Sequence, residues 1–236
     1  MSETVTVELW SASFLPQTDV GAMESLYRTY YEGAPDAAFR RDLAEKDYVI
    51  ILRETGCVRG FSTMKVLKIG GMDVLFSGDT VVDAGCRNQT GLAGGFGHMM
   101  ALLNRTLGSD ALYWFLICKG ARTYRFLPTF FRRYVPGQIA YPDLSDRLRI
   151  IAATRYPKAF NPATGILHFE EGKDRLKSDI LRMDPESIKF RTMNPGWREG
   201  DELCCLAPLA MGNLNRLGWR VIAAVEPEWR LKESHS

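Results

Sequence analysis

The sequence predicts an α/β (α+β) fold: a mixed, mostly antiparallel sheet with flanking helices, followed by a largely helical C-terminal extension. Three observations predict it. Apolar and β-branched runs at 47–54, 58–69 and 72–83 are joined by "TG" and "GG", which reads as an antiparallel meander. The glycine-rich "GLAGGFG" (91–97) leads into a helical pattern and then into "ALYWFLIC" (111–118), the most apolar strand of the chain. Two strands joined through a helix in this way should lie parallel. After Pro136, helical patterns alternate with the turn-rich "NPATG" (161–165) and "NPGWREGDE" (194–202).

Taken in order, "TVTVELW" (4–10) alternates and is rich in β-branched residues, so it predicts a strand. Residues 19–33 place Val20, Met23, Leu26, Tyr27 and Tyr30 at helical spacing, with Asp19 as N-cap and Gly33 as stop. Residues 35–46 predict a second helix with Pro35 in its first turn. The meander follows, then a helix over 91–107 and the strand 111–118. A helix is expected over 121–135, interrupted or started late by Pro128. Further on, 142–157, 173–183 and part of 206–222 read as helical, and 165–172 as a short strand. The organisation expected is a core over 1–136 and an extension, 137–236, packed on it.

Composition narrows the function classes. A chain of 236 residues, 46% hydrophobic and 25% charged, can bury a full core without staples. The net charge of +2 is interspersed, which argues against a dedicated nucleic-acid binder. No apolar run reaches membrane-spanning length, and "MSETVTVELW" has no secretory features. Five cysteines occur without a Cys-x-x-Cys or a Cys/His cluster, so neither a disulfide framework nor a metal site is expected. Cys86, Cys118, Cys204 and Cys205 read as packing residues, and free thiols fit a cytoplasmic location.

The element order up to about residue 135 resembles the GNAT acyltransferase superfamily, in which strand, two helices, three strands, helix, strand and helix follow one another. The family carries a Q/R-x-x-G-x-G/A loop between its fourth strand and third helix. The matching stretch is Asn88-Gln89-Thr90-Gly91-Leu92-Ala93, preceded by Arg87. Gly91 and Ala93 match the small positions; Asn88 stands where the family has Gln or Arg. The resemblance implies that residues 87–93 hold the diphosphate of an acyl-coenzyme A, with acetyl-CoA or another acyl-CoA as co-substrate. Physical chemistry agrees: backbone N–H groups at a helix N-terminus cradle a diphosphate, and small residues allow its close approach. Arg87 could add a charge-assisted contact.

The same resemblance points to a tyrosine on the helix after the strand 111–118 as the acid that protonates the departing thiolate: Tyr124, with Tyr134 as the other candidate. An amine acceptor must lose a proton before it attacks. Asp79 and Asp83, four residues apart on one strand, share a face, and "SGDT" (77–80) breaks an apolar strand where a bulge could open the sheet. Asp79 is the expected base; Asp83 is expected to end the strand. His98 falls off the apolar stripe Phe96, Met99, Leu103, Leu107 and is expected at the surface. Past Pro136 the family pattern fades.

The function expected is acyl-CoA-dependent N-acylation of a small-molecule amine. Two alternatives are a reused cleft that catalyses a non-acyl step, such as an elimination or cyclisation in biosynthesis, and a non-catalytic subunit. Partners are a small-molecule substrate and a homodimer contact or partner subunit, without nucleic acid or membrane.

Overall fold

The computed structural model describes residues 5–33, 37–86, 91–107, 112–170, 175–177, 184–223 and 231–233. The chain begins with β1 (Val5–Ser11), α1 (Gln17–Tyr30), the short β2 (Tyr31–Glu32) and α2 (Ala38–Ala44). The meander is β3 (Tyr48–Glu54), β4 (Cys57–Ile69) and β5 (Met72–Val82), followed by α3 (Gly91–Leu107) and β6 (Leu112–Cys118). Next come α4 (Ala121–Tyr124), α5 (Phe126–Phe130), α6 (Pro142–Arg155), β7 (Phe160–Asn161), β8 (Ile166–Leu167) and β9 (Arg175–Leu176). The chain closes with α7 (Pro185–Met193), β10 (Glu202–Pro208) and α8 (Arg216–Ala223).

Among the described residues, eight strands form one sheet in the order β1-β3-β4-β5-β6-β10-β8-β7. Every pairing is antiparallel except β5 with β6, the pair joined through α3. The mixed, mostly antiparallel sheet is therefore as predicted, and so is the element order through β6, apart from the two-residue β2 between α1 and α2.

Period-2 alternation divides each central strand between two cores. On β3, Val49 and Ile51 pack with Val20, Met23 and Tyr27 of α1 and with Phe39 and Leu43 of α2. Ile50 and Leu52 turn the other way, into the core under α3 with Leu75, Met99, Leu103 and Trp114. Phe76 of β5, Phe115 of β6 and Leu206 of β10 join Leu144, Leu148 and Ile151 of α6. So α1, α2 and α6 share one face, and α3 covers the other. A strand buried on both faces reads as a continuous apolar run.

Four expectations need correction. Asp19 is not the cap of α1: Pro16 holds that position, and the Asp19 carboxylate lies in the first turn, accepting from Arg53 of β3. The helix expected over 121–135 is interrupted, as Pro128 suggested, with the break at Arg125, but it stops at Phe130 and not at 135. Within 173–183 the described part is extended, with Arg175–Leu176 paired to Tyr31–Glu32; residues 173–174 and 178–183 lie outside the described residues. Residues 202–208 are strand β10, paired with β6, so the C-terminal segment enters the sheet as well as covering it.

Candidate functional site

The site begins with a register slip. Ser62 of β4 pairs with Thr80 of β5, and Met64 pairs with Ser77, so Thr63 alone stands against Gly78 and Asp79. One extra residue on β5 is a β-bulge, at the "SGDT" interruption where the sequence suggested one. A bulge bends its strand and re-aims a side chain. Before the slip, Leu75 and Ser77 face the α3 core, with Ser77 Oγ accepting from Trp114 Nε1 at 2.7 Å. After it, Val81 packs in the α1–α2 core. Asp79 is half-buried beside the bulge.

The bulge sits where β5 and β6 part. Among the described residues the last β5–β6 pair is Ser77↔Leu116, although β5 continues to Val82 and β6 to Cys118. A cavity of about 330 Å³ opens over this fork, within the range of small-molecule sites. Gly78, Asp79 and Thr80 form one wall with Ile117 and Lys119 of the β6 end. Arg41, Asp42, Glu45 and Lys46, at the end of α2, form a second. Arg155 and Tyr156, at the end of α6, form a third with Glu202 of β10.

Its charged groups are arranged in pairs. Lys46 Nζ donates to Asp42 Oδ1 at 2.8 Å, one helical turn earlier, and lies 5.3 Å from the centre of the Phe76 ring. The Lys46 side chain is only 1% exposed. Such a cation needs both its carboxylate and the aromatic face. Lys119 Nζ lies 3.3 Å from Glu202 Oε1, two groups brought together by the β6–β10 pairing. Arg155 stacks over Phe76 and Tyr156, with the Glu45 carboxylate 4.0 Å away. Burial pushes the Tyr156 phenol up, which keeps its proton as a donor at neutral pH. Sequence reasoning singled out Asp79 but missed Lys46, Arg155 and Glu202, which come from segments far apart in the chain.

The other predicted residues fall elsewhere. Tyr124 does not line this cavity: it is fully buried against Phe190 of α7, its hydroxyl donates to the Pro136 carbonyl at 3.1 Å, and burial drives its phenol up. Tyr134, the other candidate acid, is half-buried and does not line it either. Asp83 ends the strand as expected, accepting from Gly85 N at 2.8 Å and pairing with Arg59 at 2.8 Å. His98 is not at the surface. It is 7% exposed, and burial pushes its pKa down to about 4. The physical reason is that α3 is buried on all sides over residues 92–100, Gly94 and Phe96 partly, so that this part of the helix has no solvent face.

Of the predicted coenzyme loop, Arg87, Asn88, Gln89 and Thr90 lie outside the described residues. Gly91 opens α3, and Leu92 and Ala93 form its first turn with side chains sunk in the core. What Leu92 and Ala93 can offer an anion is therefore backbone N–H, the unpaired donors of a helix start. That donor set fits a diphosphate. Among the described residues no group of three His, Cys, Asp or Glu side chains could hold a metal ion, and no helix is long and apolar enough to cross a membrane.

No family model and no curated protein matches the sequence. Solved structures similar to it include two acetyltransferases and a third protein with a bisubstrate analogue bound. A GNAT-family N-acetyltransferase of Escherichia coli, in complex with coenzyme A, is 17% identical, with 55% of this chain and 70% of that one covered and a TM-score of 0.41. A GNAT-family acetyltransferase of Brucella melitensis, in complex with acetyl-CoA, is 14% identical, with coverages of 54% and 83% and a TM-score of 0.38. Arabidopsis thaliana Naa50, with a bisubstrate analogue, is 10% identical, with coverages of 58% and 89% and a TM-score of 0.39.

Proposed function

We propose that the protein is an acyl-CoA-dependent N-acyltransferase that acts on a small-molecule amine held in the cavity over the β5–β6 fork. The observation that carries this is the bulge at Gly78–Asp79. It puts Asp79 on the wall of a cavity lined by polar groups, on the strand that leads into the glycine-rich start of α3. The backbone N–H groups of Gly91, Leu92 and Ala93, with Arg87, Asn88, Gln89 and Thr90 ahead of them, would hold the diphosphate.

Bound acyl-coenzyme A supplies an acyl group as a thioester, whose C–S bond breaks as the C–N bond to the amine forms. Asp79 takes the proton that the ammonium form must lose before it attacks. Beyond Ser77, where β5 and β6 no longer pair among the described residues, backbone N–H of β5 would polarise the carbonyl. The departing thiolate takes its proton from solvent, because the Tyr124 hydroxyl is committed to Pro136. The enclosed walls of α2 and α6 hold the acceptor still.

Titration calorimetry with acetyl-CoA, followed by thiol release with a panel of amines, tests this. Binding at micromolar to millimolar concentration and amine-dependent thiol release are expected; no binding at millimolar ligand sinks the proposal. The burial of Tyr124 favours a second reading, the same cleft turned to a non-acyl step. A metabolite retained in the cavity of a protein that does not bind acetyl-CoA would support it.

A further inference from the structure

The cavity over the fork carries more charge than an amine alone requires. We propose that the acceptor is a zwitterion: an amine that also bears a carboxylate, held by Arg155 and Lys46 while its amino group faces Asp79. This rests on the acyl-transfer reading for its chemistry, but its binding claim stands apart.

Three observations carry it. Four cations and four carboxylates line the cavity. A site for a polycationic amine should show an excess of acid, and a site for a phosphate an excess of base; a balanced lining suits a ligand with one charge of each sign. Arg155 is poised without being satisfied. Its Nε is buried and has no hydrogen-bond partner among the described residues, and Glu45 at 4.0 Å is beyond hydrogen-bonding distance. A buried guanidinium donor left unpaired is costly, and a carboxylate is the partner its planar fork fits best. Finally, the cations are held from two walls over one ring: Lys46 Nζ stands 5.3 Å and Arg155 Cζ 5.9 Å from the Phe76 centroid. Phe76 precedes the bulge by two residues, so a carboxylate above this ring leaves the rest of a small molecule to reach toward Asp79. The volume of about 330 Å³ suits a molecule of amino-acid size.

The test pairs amino acids with the same amines lacking the carboxylate: L-lysine against cadaverine, and β-alanine against ethylamine. Thiol release from acetyl-CoA is measured for the wild-type protein and for Arg155→Gln. The wild type should prefer the carboxylate-bearing partner by about tenfold or more in kcat/KM, the loss expected for a charged hydrogen bond. Arg155→Gln should raise KM for that partner by a similar factor, leave KM for acetyl-CoA unchanged and abolish the preference. Equal use of both partners by the wild type overturns the proposal without touching acyl transfer. If no amine releases thiol, the acyl-transfer reading fails, and calorimetry of L-lysine and β-alanine decides the binding claim alone. Binding that Arg155→Gln weakens supports it; no binding to the wild type overturns it.

Discussion

Gly78 lies against Lys46 so closely that a Cβ there would sit 2.9 Å from Lys46 Cε and 3.1 Å from Nζ, with Thr63 Oγ1 at 2.7 Å. The glycine is required here for space. It lets a buried lysine cross the bulge and reach the Phe76 ring. Gly78→Ala should cost about 1–3 kcal/mol, the range for overpacking, and lower the melting temperature by several degrees. The displaced lysine should also weaken acceptor binding, seen as a raised acceptor KM at unchanged KM for acetyl-CoA. A variant with wild-type stability and kinetics would show that the bulge does not hold Lys46 in place.

Asp79→Asn keeps the shape of the bulge and removes the base. The expected result is a fall in kcat of about 10²-fold or more, with coenzyme binding by calorimetry and the melting temperature little changed. The residual rate should rise at higher pH, where more of the amine is already neutral. A kcat within a few-fold of wild type would assign the proton to another group, such as Glu202 on the cavity wall.

Tyr124→Phe separates a catalytic from a structural hydroxyl. The hydroxyl donates to the Pro136 carbonyl from a fully buried position, so its removal leaves that carbonyl short of a donor. About 1 kcal/mol of stability should be lost, with kcat unchanged within about twofold. A hundredfold fall in kcat at full stability would restore the acid role that the family resemblance implied.

These three residues show which parts of the molecule were legible in sequence. The meander and the bulge at "SGDT" were, because period-2 alternation and its interruption are local signals. Asp79 was found for that reason. Tyr124 was placed by its distance along a helix; Pro128 marked that helix as interrupted, but its cover by α7 leaves no mark within 121–135. Strand β10 was missed because "ELCCLAP" is a short apolar run without alternation, and its partner β6 is far away in sequence. With β10 went Glu202. Helix α7 did carry a signal, Asp184-Pro185-Glu186: Asp184 caps Ser187 N at 3.0 Å and Pro185 opens the helix. The cavity's cations were not legible at all, since Lys46 and Arg155 meet only through the packing of α2 and α6 on one sheet face.

His98 provides a pH test. Its folded pKa lies at about 4, below the ordinary value of 6.5, because burial disfavours the charged ring. Between those values the unfolded chain takes up a proton that the folded chain refuses, so stability is complete above pH 6.5 and falls as pH drops toward 4. The full effect is about 3 kcal/mol at most. Urea unfolding of wild type and His98→Leu at pH 7 and pH 4.5 should show a steeper loss in the wild type. Parallel pH dependences would mean that the ring is charged, and solvated, in the folded protein.

The two glycines in the middle of "AGGFG" should behave in opposite ways. A Cβ on Gly94 meets nothing within 4 Å among the described residues, whereas one on Gly95 would run into Ile50 Cγ2 of β3 and come within 3.0 Å of Val7 Cγ1 of β1. Gly95 is thus where α3 sits down on the sheet, and the whole helix is registered by that contact. Gly94→Ala should be neutral or stabilise by up to about 1 kcal/mol, since alanine is the better helix former. Gly95→Ala should lift α3 and cost about 1–3 kcal/mol. It should also weaken acetyl-CoA binding, because the first-turn N–H groups of Gly91, Leu92 and Ala93 move with the helix. Thermal melts and calorimetry on the two variants separate these effects. Equal stabilisation of both variants would mean that helix propensity alone distinguishes glycine from alanine at the two positions. Stability lost at Gly95 with coenzyme affinity intact would mean that the diphosphate is held elsewhere than at the start of α3.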